Sequence, residues 1–133
     1  MATQHINPEG MAKPGAYSHV VVGTGTKVVS VAGQVGLDAE GQLVGKGDFA
    51  AQALQAYRNV ETALAAAGAG FDDVTKMTVF IVGYDEATHF KPLIAARTEV
   101  IPGKKPANTL IGVQALASPD FLIEVEAQAV LDS

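Results

Sequence analysis

The sequence has no cysteine and no tryptophan among its 133 residues, and its aromatic content is only 6%. The lack of cysteine excludes disulfides and thiolate metal sites and fits a reducing cytoplasm. With so few rings, alanine, valine and leucine must fill most of the interior. Charge is sparse too, at 17%, and its balance is acidic, with a formal net charge of −5. Nucleic-acid binders normally present a basic face. Here the only basic cluster is the short stretch GKKP, so no nucleic-acid partner is expected. The apolar runs are all interrupted, so no membrane span is expected. Residues 1–21 lack the apolar core of a signal peptide. No internal repeat, low-complexity tract or linker divides the chain. What is present is a globular composition, 48% hydrophobic. It predicts one domain over residues 1–133, large enough to bury a substantial core.

Residues 1–16 are polar and rich in proline and glycine, an extended lead-in. The β-branched runs Ser18–Thr24 and Lys27–Gly36 predict strands, and the intervening GTGT predicts a hairpin between them. A turn follows at Asp38–Gly41, with room for a short strand after it. Asp48 is a good N-cap. Beyond it Phe49, Ala53, Tyr57, Val60, Leu64 and Ala67 recur at steps of three and four, the apolar stripe of a helix. Gln52, Gln55, Arg58, Asn59 and Glu61 fall largely outside that stripe, and Gly68 ends the helix. Asp73–Gly83 reads as a buried strand.

Asp85–Ile101 reads as a second helix. Proline is tolerated in a first turn and breaks an interior, so Pro92 moves the expected start to Phe90 or Lys91. Ala107–Leu116 and Phe121–Leu131 are strands joined by the turn ASPD. The order β-β-(β)-α-β-α-β-β is an α+β arrangement, a mixed sheet with two helices packed on one face. In the last strand Ile123, Val125, Ala127 and Ala129 alternate with Glu124, Glu126 and Gln128. The face away from the helices is polar there but apolar at Phe80 and Val82. A mixed face of that kind suits an oligomer contact.

Several stretches together resemble the Rid family (reactive intermediate deaminase, also called YjgF, with relatives named endoribonuclease L-PSP). They are GAYS, VAGQVGLD, AAQALQAYRNVETALAAAG, VTKMTVFIV, PANTLIGVQAL and IEVEAQAV. The likeness runs from about Ala16 to Val130, and its closing part is the most specific. It implies a chorismate-mutase-like fold, a homotrimer with ligand clefts between subunits, and hydrolysis of enamines and imines such as 2-aminoacrylate. The products would be a 2-keto acid and ammonia, with no cofactor and no metal. Residue by residue, it implies that Tyr17 is the pocket tyrosine and that Ala32, Gly33 and Gln34 line the pocket with backbone. Glu124 would be the catalytic acid, and the Leu110 amide would hold the substrate carboxylate. The position after PA carries arginine in the best-known branch. This chain has Asn108, which marks a branch lacking that arginine.

The departure has chemical weight. An arginine–carboxylate fork is planar, charged and about twice as strong as a neutral hydrogen bond. Its loss is worth about 1.5–3 kcal/mol. Classical 2-imino acid deamination is therefore expected to be weak unless Lys91, Lys104 or Lys105 supplies a cation. Glu124 would orient the attacking water and carry its proton. Glu126 lies about 7 Å further along the same strand face. His5, His19 and His89 lack metal-ligand spacing, and GTGTKVVS lacks the spacing of a phosphate loop. The leading expectation is a cytoplasmic imine or enamine hydrolase. The alternative is a non-catalytic homotrimer that binds a small molecule. Both rest on the last two strands meeting Tyr17 around a small cavity.

Overall fold

The computed structural model describes residues 3–132. Its elements are β1 (Thr3–Ile6), β2 (Val20–Gly23), β3 (Lys27–Gln34), α1 (Phe49–Ala66), β4 (Val74–Val82), α2 (Glu86–Val100), β5 (Ala107–Val113) and β6 (Ile123–Leu131). Four strands form the main sheet in the order β3-β6-β4-β5. β6 runs antiparallel to both β3 and β4, and β5 runs parallel to β4 after the crossover through α2. Both helices lie on one face, as the sequence order predicts.

Register explains the faces. Met77, Val79 and Ile81 of β4 stand opposite Ala127, Val125 and Ile123 of β6. All six are buried, and they pack with Tyr57, Val60 and Leu64 of α1 and with Leu93, Ala96 and Val100 of α2. Ala53 and Ala56 are fully buried. Their small side chains let α1 lie close on the sheet, which is how a core poor in aromatics fills its space. The other face carries Thr78 opposite Glu126 and Phe80 opposite Glu124. No helix covers that outer face.

α1 begins as expected. The Asp48 carboxylate accepts from Ala51 N, and Gly68, at φ +80°, takes the left-handed turn past the helix end. Gln52 corrects the sequence reading. It is fully buried rather than outside the stripe, because its amide holds three backbone groups. Nε2 donates to Gly45 O and Asp120 O, both at 3.1 Å, and Oε1 accepts from Leu122 N at 2.9 Å.

Two further expectations are corrected. β2 and β3 do not pair as a hairpin: β2 pairs with β1, and β3 pairs with β6. The GTGT stretch instead crosses the end of β6. Thr26 N donates to Leu131 O, and a Cβ at Gly25 would overlap that same carbonyl. The second helix starts at Glu86, not near Phe90, leaving Pro92 inside it. Asp85 explains the early start, since its side chain accepts from both Thr88 N and Thr88 Oγ1. Pro92 leaves the Thr88 carbonyl without its helical donor, but Thr88 is exposed and water can serve it. The optional strand after the Asp38 turn reduces to one bridge, Leu37 with Leu43. Among the described residues, no helix is long and apolar enough to cross a membrane.

Candidate functional site

The GAYS stretch meets the start of β5. Ser18 is buried there. Its hydroxyl donates to Lys105 O at 2.6 Å and its amide to Pro106 O at 3.2 Å. These two bonds tie residues 15–18 to the strand edge and set Tyr17 beside Asn108 and Leu110. The Tyr17 ring is steadied by an edge-on contact with His19, at 5.3 Å between centroids. Asn108 and Leu110 stand in register with the buried Met77 and Val79. They therefore project towards the helices, where α2 supplies Phe90, Leu93, Ile94 and Arg97 at helical steps.

Together these groups line a half-open cavity of about 520 Å³. Its walls are mostly apolar, and it lies at the free edge of the sheet, beneath α2. Two polar atoms of its lining residues, Arg97 Nη2 and Asn108 Oδ1, are buried and have no partner among the described residues. Arg97 is only 4% exposed. Burial lowers its pKa from the usual guanidinium value, and the Tyr57 phenol nearby opposes that shift. A guanidinium starts so high that it remains protonated at neutral pH. The same burial pushes the Tyr57 hydroxyl well above the ordinary phenol range.

Sequence reasoning did not single out Arg97, although a signal existed. It follows Phe90 and Leu93 or Ile94 at steps of four and three, which puts an arginine on the inward stripe of α2. Of the lysines considered as cations, Lys91 and Lys104 are exposed, and Lys105 contributes its carbonyl to the Ser18 contact. None of the three lines the cavity.

The remaining expected residues lie elsewhere in the chain. Glu124 projects from the outer sheet face, opposite Phe80 and away from Asn108. It is half-buried against the irregular end of β3, where a Cβ on Gly33 would overlap its Oε2. Gln34 Nε2 donates to Ala32 O at 3.0 Å, fixing that bulge. Gly33 and Gln34 also border a shallow depression beside Asn59 of α1. Glu126 lies on the outer face with Ser30, Lys76 and Thr78 around a smaller depression of about 250 Å³. One chain thus unites Tyr17, Asn108 and Leu110 on the helix side, and Gly33 with Glu124 on the other.

The model of the endoribonuclease L-PSP family matches residues 9–131. The chain belongs to this family, the Rid family of the sequence motifs. A RutC family protein of Pyrococcus abyssi is 34% identical over 131 residues, covering 97% of this chain and 98% of its own. A Rid family protein of unknown function from Yersinia pestis superposes with a TM-score of 0.92 at 39% identity, covering 98% of this chain and 100% of that one. RidA from an Antarctic Psychrobacter superposes with a TM-score of 0.71 at 28% identity, covering 90% of this chain and 92% of that one. The Rid fold accounts for the order of elements and for two helices sharing one face of a mixed sheet.

Proposed function

We propose that this protein is a small cytoplasmic hydrolase of reactive imines or enamines, working as a homotrimer with no metal or cofactor. The observation that carries this reading is the half-open, largely apolar cavity at the β5 edge. It holds Tyr17, Asn108 and Leu110, the positions to which family resemblance assigns substrate contact. An imine bound there would receive water at carbon and a proton at nitrogen. The resulting carbinolamine would then break its C–N bond, releasing ammonia and leaving a carbonyl compound. Tyr17, at the cavity wall, would orient the substrate by hydrogen bonding or packing.

Glu124 would take the proton from water, but not for the cavity of its own chain, since it faces the other side of the sheet. In this reading copies meet on the uncovered outer face, and Glu124 of one copy reaches the cavity mouth of the next. Ala32, Gly33 and Gln34 would arrive with it as backbone lining. Asn108 in place of the family arginine sets this chain apart from the best-known deaminases.

The test is ammonia release from freshly generated imines, both charged and neutral. Loss of a positioned acid–base group typically slows reaction by about 10²–10⁴-fold, so Glu124→Ala is expected to fall in that range. Equal rates in the two proteins would remove Glu124 from the chemistry. A solution mass that is not three times that of one chain would remove the shared site.

The separation of Glu124 from the cavity also favours a second reading, a small-molecule-binding trimer without turnover. Thermal stabilisation by a ligand recovered unchanged, with no ammonia from any imine, would select it. Ribonuclease activity fits poorly with a net charge of −5.

A further inference from the structure

Four polar or charged side chains are buried among the described residues: Thr3, Ser18, Gln52 and Arg97. Thr3 donates to Asp72 O at 2.7 Å, Ser18 donates to Lys105 O, and Gln52 has three backbone partners. Arg97 alone makes no side-chain hydrogen bond, and no carboxylate lies within ion-pair distance of it. A buried cation without a counter-charge is among the most unfavourable groups a fold can hold. Arg97 is one of the residues lining a half-open cavity walled by Phe90, Leu93 and Ile94. Such walls are poor in polar groups, so a charge inside them is weakly screened and attracts an anion strongly. In the same cavity Asn108 Oδ1 is an acceptor without a donor. A ligand that answers both atoms needs an anionic acceptor and a separate donor.

We propose that Arg97 is the anion-holding residue of this cavity, and that its ligand is a small carboxylate carrying a second group that donates to Asn108. The carboxylate accepts from the guanidinium, and a hydroxyl, amine or imine N–H on the ligand donates to Asn108 Oδ1. The cation would thus come from α2, while β5 contributes a neutral acceptor that reads the second group. This rests on the hydrolase reading only for the reaction, and adds to it the residue, Arg97 of α2, that would hold a substrate carboxylate where β5 carries Asn108. The binding claim itself does not depend on turnover.

The experiment is calorimetric titration of the full-length protein with 2-hydroxybutanoate, butanoate and 2-hydroxybutanamide. The expected order of affinity is the hydroxy acid first, then the simple acid, then the neutral amide. Arg97→Met keeps the side-chain bulk and removes the charge. It is expected to weaken hydroxy-acid binding about ten- to a hundredfold, while the ligand-free Tm rises by a few degrees because an unpaired buried charge has gone. Arg97→Lys keeps a charge but loses the fork. It is expected to bind between the other two proteins, and it serves as the readout should Arg97→Met fail to fold.

Equal binding of acid and amide by the wild type would overturn the proposal. So would no binding of the hydroxy acid, or wild-type affinity in Arg97→Met. Carboxylate binding without ammonia release from any imine would end the hydrolase reading and leave this one standing. Turnover of neutral imines unaffected by Arg97→Met would do the reverse.

Discussion

Gln52 on α1 and Arg97 on α2 are both buried polar side chains on inward helix stripes, yet they are treated in opposite ways. Gln52 is fully enclosed and stitches three separated backbone groups, at Gly45, Asp120 and Leu122. It is part of what holds the loops at that end to the sheet. Arg97 is nearly as enclosed and holds nothing. A satisfied buried amide stabilises a fold, whereas an unsatisfied buried charge destabilises it. If Arg97 holds an anion as proposed, the difference separates the end of the molecule that is architecture from the end that is arranged for a ligand.

The sharpest way to break this comparison is Gln52→Leu. The substitution keeps the volume but strands two carbonyls and one amide. Each unmet group costs about 1–3 kcal/mol when it stays buried, and these are only partly buried. A loss of about 3 kcal/mol in urea unfolding is expected, opposite in sign to the change expected for Arg97→Met. Two changes of the same sign would mean that both side chains serve the same role.

The sequence reveals α1 better than α2 for related reasons. α1 has a clear stripe and a capping aspartate, and both are local. The alternation in β6 correctly separates Ile123 and Val125 from Glu124 and Glu126, because period two needs only one strand. Type-based reading misplaced Gln52, since glutamine is polar whether or not its partners are waiting. It passed over Arg97 for the same reason. The β2–β3 hairpin failed because glycines mark where a chain can turn, not which strand it then pairs with. The true partners are Thr3–Ile6 for β2 and Ile123–Leu131 for β3, and the latter pairing spans most of the chain. Motifs single out Tyr17, Asn108 and Glu124 along the chain, but only register shows Asn108 and Glu124 on opposite faces.

A smaller effect probes the start of α2, the element that carries Arg97. The Asp85 carboxylate accepts from Thr88 Oγ1 and Thr88 N, which holds its pKa below the ordinary carboxylate value. A group with a depressed folded pKa stabilises the fold above its unfolded pKa, about 3.9 for aspartate. That contribution is lost as the pH falls through the lower, folded value. Asp85→Ala is therefore expected to lower Tm by a few degrees at pH 7. The gap to wild type should close under acid, once the carboxyl is protonated in both states. A gap that persists unchanged at low pH would mean the cap acts by packing rather than as an ion. The same variant tests the register of α2. If Asp85 alone draws the helix start forward past Pro92, helix content falls in the variant, and the affinity of the cavity falls with it because Phe90 sits in the loosened turn.

The smallest effect on stability, and the most informative about chemistry, is expected from Gly33→Ala. Gly33 has an ordinary backbone conformation, so an added methyl brings no strain of its own. What it meets is the end of the Glu124 side chain: Oε2 first, then Cδ and Cγ. The far end of a glutamate on a face with no helix over it can swing aside, so stability should change by less than about 1 kcal/mol. The carboxylate, however, can no longer occupy its present place. If its position against β3 is what aims it at a neighbouring copy, Gly33→Ala should lose nearly as much activity as Glu124→Ala, and the double variant no more than either. Binding of 2-hydroxybutanoate, which depends on Arg97 and Asn108 across the sheet, should stay within about twofold of wild type. Loss of binding in Gly33→Ala would show that the backbone lining brought by a neighbouring copy also holds the ligand, and the division between the two faces would not hold for binding. Full activity in Gly33→Ala would show that Glu124 need not be where the fold holds it.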